Sequence, residues 1–128
     1  MPELEKLTVN LGPVDLGQIE LLVEQGFYAN RAEFIRSAIQ NQLAKHAEVV
    51  RDSATRGMYV IGALSYGRSL LEAERRKGRR LAVRVVGYLG LEGDVTPELA
   101  AETIESISVR GIFRASPEVK AALADRIR

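Results

Sequence analysis

Lys6, Thr8 and Asn10 place an ammonium, a hydroxyl and an amide on alternate positions of one short stretch, separated by Leu7, Val9 and Leu11. These groups donate and accept hydrogen bonds, and none belongs to an acid–base or nucleophilic constellation, so the chemistry they offer is recognition and not bond making. Alternation over six residues is the period of a β-strand with one buried face, which would turn the three polar groups outward together. A second set follows at Asn30-Arg31-Ala32-Glu33. Asn30 stands where a helix N-cap would, and Glu33 three positions later completes a capping-box-like signal, marking a helix start whose first backbone N–H groups have no partner inside the helix.

The elements that must hold these groups are legible around them. Gly12-Pro13 ends the strand, because proline has no N–H to donate and fits the first turn of a helix. A helix from about Val14 to Gln25 follows, with Leu16, Ile19, Leu22 and Val23 on one stripe, and Gly26 is its expected stop. A second helix should run from Arg31 to Lys45 or His46, with Phe34, Ile35, Ala38, Ile39 and Leu43 on its apolar face. One strand and two amphipathic helices cannot close a core by themselves. Two copies pairing their strands across a two-fold axis, with the helices covering the apolar side, would solve the problem.

Strand, helix, short turn and capped helix in this order resemble the ribbon-helix-helix family of bacterial and archaeal DNA-binding regulators. Lys6-Leu7-Thr8-Val9-Asn10-Leu11 matches the ribbon, and Asn30-Arg31-Ala32-Glu33-Phe34-Ile35-Arg36 matches the start of the second helix, where Ser or Thr is commoner at the cap. The resemblance covers residues 5–46. It implies an intertwined homodimer whose two-stranded antiparallel ribbon enters the major groove of double-stranded DNA. By the same resemblance Lys6, Thr8 and Asn10 would face base edges: Lys donating to guanine, Asn bonding adenine in both directions, Thr bonding or touching a methyl group. The N–H groups of Asn30, Arg31 and Ala32 would meet a phosphate, with Arg31 adding charge.

Beyond Glu48 the texture changes. Residues 49–57 read as a helix tail passing into a linker that breaks at Gly57. Val60-Ile61-Gly62-Ala63-Leu64, Val85-Val86-Gly87-Tyr88-Leu89 and Val109-Arg110-Gly111-Ile112-Phe113 then share a glycine followed two residues on by a large apolar side chain, with the glycines 25 and 24 residues apart. Helical stretches follow each: Ser69 to Lys77, Thr96-Pro97-Glu98-Leu99 to about Ser106, and Ser116-Pro117-Glu118-Val119 to about Ile127. In the last two, a Ser or Thr cap, Pro at the first position and Glu in the first turn form a strong start signal. A strand–helix period of this length is the mark of a small solenoid-like repeat whose ends need covering by another copy. The fold class expected is therefore α+β: a ribbon-helix-helix domain over residues 1–48, a linker over 49–57, and an α/β repeat domain over 58–128 for oligomerisation or binding a protein partner.

Charge and composition narrow the functions. The chain holds 18 basic and 17 acidic residues, but residues 1–48 carry four basic against seven acidic, a net of −3, and the remainder carries +4. Arg75, Arg76, Lys77, Arg79 and Arg80 form the densest basic run, an auxiliary patch for phosphate backbone or an acidic partner. There is no Cys, and His46 is the single His, so thiolate sites are excluded and one imidazole cannot build a metal site; no cofactor is expected. Gly87, Gly90, Gly93 and Asp94 lack dinucleotide spacing and a following Lys-Ser/Thr, and read as turns. Glu102 and Glu105 share a helix face in this reading but have no His or Lys partner, so no enzyme is expected. No run approaches the roughly 18 apolar residues of a membrane span, and Met1-Pro2-Glu3-Leu4-Glu5 lacks a signal-peptide pattern, which reads as cytoplasmic. The function expected is a sequence-specific transcriptional regulator. The alternative is a dimeric scaffold or antitoxin-like interaction protein whose first domain only dimerises.

Overall fold

The computed structural model describes residues 4–128. The first three residues, part of the N-terminal stretch read for a signal peptide, lie outside them. The chain forms two compact units, one of Glu5–Ser53 and one that includes Ala54–Arg128; among the described residues the first has helix and no strand, and every strand lies in the second.

In the first unit, α1 (Pro13–Glu24) begins with proline in its first turn and α2 (Arg31–Lys45) begins on the Asn30 cap. After α1 the chain turns on Gly26 at φ +87°, where Gly26 N–H reaches Val23 O and Phe27 N–H reaches Leu22 O, the paired bonds of a Schellman ending. Lys6–Leu11 is assigned no strand: among the described residues no other segment of the chain pairs with it. Ile19 is the one residue that α1 and α2 bury. Leu7 and Val9 are 80% and 70% exposed, and Ile39 and Leu43 also lie open.

The expected linker is mostly helix. α3 (Ala47–Arg56) covers residues 49–56, because nothing between Ala47 and Gly57 breaks a helix and Ala, Glu and Arg favour one. Its Schellman ending falls on Met58 at φ +59° and not on Gly57, with Met58 N–H on Thr55 O and Tyr59 N–H on Ala54 O.

The second unit is a parallel sheet in the order β1 (Val60–Tyr66), β2 (Leu81–Leu91), β3 (Ile104–Arg114), each strand followed by a helix: α4 (Arg68–Arg76), α5 (Pro97–Thr103) and α6 (Pro117–Ala122), the last leading into a 3₁₀ turn at Ala124–Arg126. Leu71 of α4, Val85 and Leu89 of β2, Leu99 of α5, Ile107 of β3 and Leu123 are buried together. At about 1.5–3 kcal/mol for each large apolar side chain removed from water, this layer supports itself, whereas the first unit's single buried residue does not.

Two helices stop earlier than expected. Thr103 turns its hydroxyl back to Leu99 O at 2.7 Å, and the β-branched alternation that follows enters β3 at Ile104. Glu105 is therefore a strand residue and shares no helix face with Glu102. α6 ends at Ala122, and the C-terminus lies along β3, with an Ile107–Ile127 bridge and Arg128 N–H on Ile107 O at 2.7 Å.

Gly62, Gly87 and Gly111 face one another across the ladder at φ +147°, +137° and +135°. A Cβ on Gly87 would stand 2.1 Å from Gly62 O, and one on Gly111 would stand 2.0 Å from Gly87 O. Both the dihedral and the neighbouring carbonyl demand glycine at these two positions.

Candidate nucleic-acid interface

The alternating stretch forms no strand within the chain, and all six of its residues, Lys6 to Leu11, are exposed. Leu7, Val9 and Leu11 line an open groove of about 380 Å³ whose other wall is Ile19 of α1 with Phe34 and Ile35 of α2. Lys6, Thr8 and Asn10 are exposed and take no part in lining it. Among the described residues, Lys6, Thr8 and Asn10 take part in no hydrogen bond or ion pair, while the apolar side chains between them border the helices.

The start of α2 is built from its cap outward. Asn30 Oδ1 accepts from Glu33 N–H at 2.8 Å, and the Glu33 carboxylate accepts from Ala29 N–H at 3.0 Å. The first turn closes with Phe34 N–H on Asn30 O, so the N–H groups of Arg31 and Ala32 precede the first intrahelical bond and remain on an exposed end. Two carboxylates work against anion binding here. Glu33 occupies the positive end of the helix, and Glu20 of α1 pairs with Arg31 at 3.6 Å, both side chains more than half exposed.

The auxiliary basic run belongs to the second unit. Arg75 and Arg76 form the last turn of α4, where cations suit the carbonyl end, and Lys77, Arg79 and Arg80 surround a turn on Gly78. All five are exposed, although Arg75 pairs with Glu102 at 3.5 Å and Arg80 donates to Ala101 O at 3.4 Å. His46 caps α2 at the surface beside Gln42. Asp94, in the loop between β2 and α5, accepts from Arg68 N–H at the start of α4 at 3.1 Å.

A cluster missed by sequence reading lies on the other side of the sheet from the helices. Tyr59 shares a hydrogen bond with buried Ser108 at 2.6 Å, and the guanidinium groups of Arg84 and Arg110 stand 4.6 and 5.8 Å from its ring centre. Arg84 also donates to Gly57 O at 2.6 Å. The Ser108 bond first, and then the two cations, hold the phenol below its usual titration range. The available signal was positional: Arg84 falls between core residues Val83 and Val85, so strand alternation turns it to the face without helices.

A family model described as the ribbon-helix-helix transcriptional regulator family matches residues 2–120. The match therefore extends through most of the second unit, well past residue 46, where the resemblance in the sequence stopped. No curated protein and no solved structure matches the chain.

Proposed function

Since this chain belongs to the ribbon-helix-helix transcriptional regulator family, we propose that it acts as a homodimer or higher oligomer that reads the major groove of double-stranded DNA with a two-stranded ribbon. The family is one of DNA-binding transcriptional regulators; the reading mode and the residues are our inference. The observation that carries it is the separation on residues 6–11, apolar side chains toward the groove and Lys6, Thr8 and Asn10 free. Paired with the same stretch of a second copy, Leu7, Val9 and Leu11 would close over the helices, and six polar groups would form one surface narrow enough for the groove. The exposed N–H groups of Asn30, Arg31 and Ala32 would then fix register on phosphates. The second unit would join copies or receive a protein partner through a short strand–helix repeat, and its Arg75–Arg80 turn would add charge that the acidic first unit lacks. The protein acts by binding, without catalysis, in the cytoplasm of a prokaryote.

Lys6→Ala combined with Asn10→Ala tests the reading. Affinity for a selected operator should fall by more than tenfold with the dimer intact, at ~1–3 kcal/mol per good base contact. Unchanged affinity and selectivity would remove these residues from the interface.

Glu20→Gln probes the phosphate clamp. Releasing Arg31 from an exposed pair worth up to about 1 kcal/mol should raise DNA affinity by about two- to fivefold, read by the same titration. A decrease would place Arg31 away from the backbone.

The −3 charge of residues 1–48 and the Arg31–Glu20 pair favour a second reading, in which the first unit only clamps two copies together and the second unit binds protein. Salt separates the two, since affinity for DNA falls steeply as salt rises and an apolar assembly is nearly indifferent.

A further inference from the structure

We infer that the open edge of β1 receives β3 of a second copy in parallel, with Gly62 set against Gly111, so that the three-stranded sheets of neighbouring copies join edge to edge. This deepens the reading of the second unit as an assembly module and is independent of whether the first unit reads DNA.

The two edges of the sheet are unequal in a complementary way. β1 is an edge strand, and among the described residues no other segment pairs with the outer row of its backbone N–H and C=O groups, with Val60 and Ile61 51% and 55% exposed beside it. An open apolar edge of this kind is a template for another strand. β3 is covered at its beginning, where Ile127 bridges Ile107, and among the described residues no segment pairs with its outer side over Val109–Phe113.

The internal register pairs Val60 with Val85 and Val85 with Val109, and carries on to Ser65, Gly90 and Arg114. Continued across copies, it sets Val109–Arg114 of one chain against Val60–Ser65 of the next. The part of β3 that its own C-terminus covers would lie opposite Met58 and Tyr59, where β1 has not begun.

Gly62 supplies an independent sign. Gly87 and Gly111 each direct their missing Cβ at the carbonyl of the preceding strand, whereas Gly62 holds the same backbone conformation with nothing within 4 Å on that side. The backbone of β1 is already shaped for a strand on its outer side, and Gly111 O of another copy is the carbonyl that the register brings there.

The absence of cysteine makes the test free of background. Ala63 and Ile112 both pair with Tyr88, on opposite sides of β2, so within one chain they are two strand spacings apart, roughly 9.6 Å, too far for a disulfide. Across the proposed joint they become neighbours. Oxidising the full-length double variant Ala63→Cys/Ile112→Cys should convert most of the protein into chain-to-chain cross-linked species, while either single variant stays largely uncross-linked. The surface pair Ser65→Cys/Arg114→Cys should link as well, and guards against a folding defect at Ile112. Efficient self-linking of Ala63→Cys alone would mean that β1 meets β1 in antiparallel fashion and would overturn the proposal. So would the absence of links from both double variants in protein that melts like the parent.

Discussion

Gly87→Ala is expected to melt the sheet of the second unit. The new Cβ would stand 2.1 Å from a backbone oxygen of β1, at a φ of +137° that L-residues rarely adopt. The dihedral alone costs on the order of 1–3 kcal/mol. Relieving the contact also requires parting β1 from β2, because the obstacle is main chain and cannot rotate aside. The sum, on the order of 3–5 kcal/mol, is a large share of the 5–15 kcal/mol that stabilises a small domain. Gly62→Ala, measured in dilute protein, carries the dihedral penalty with no contact and should keep a cooperative transition. Thermal unfolding followed by circular dichroism reads both, and equal melting temperatures for the two variants would refute the carbonyl argument.

Val9→Asp should leave the protein unable to dimerise through its first unit and reduce DNA affinity at least a hundredfold. Val9 is 70% exposed within the chain, so a change confined to one copy's surface would alter stability by about 0.5 kcal/mol or less. In the paired ribbon the same carboxylate would be enclosed between two apolar faces, at a cost of several kcal/mol in each copy. The solution mass at micromolar concentration and a binding titration on the selected operator measure the two effects. Parent-like values in both would mean that residues 6–11 do not form the dimer's centre.

Sequence reading succeeded where one local rule decides the outcome. The Asn30 cap, the proline starts at Pro13, Pro97 and Pro117, and the turn at Gly26 act within a few residues, and α1 and α2 follow them to within a residue or two. The 25- and 24-residue glycine spacing became a ladder register because parallel strands that align through one small residue must keep it in step. α3 was legible only as a helix tail running into a linker, because its Ala47–Arg56 stretch has neither a cap signal nor a wide apolar stripe and only the lack of a breaker marks it. The helix expected through Ser106 stopped at Thr103, where neighbouring strands overrode the start signal upstream. Tyr59 with Arg84, Arg110 and Ser108 was hidden because its members meet only after the sheet is assembled. The exposed row Lys6, Thr8 and Asn10 was visible as a pattern, while what it touches is settled between molecules.

The near absence of interior in α1 and α2 has a consequence for how such a protein is supplied. With Ile19 the only residue those helices enclose, the homodimer proposed above would make completion of the N-terminal module a bimolecular event. The amount of the proposed reader would then rise with the square of synthesis at low abundance. Scarcity would remove the module itself, so no reserve of idle, ready-made halves would accumulate.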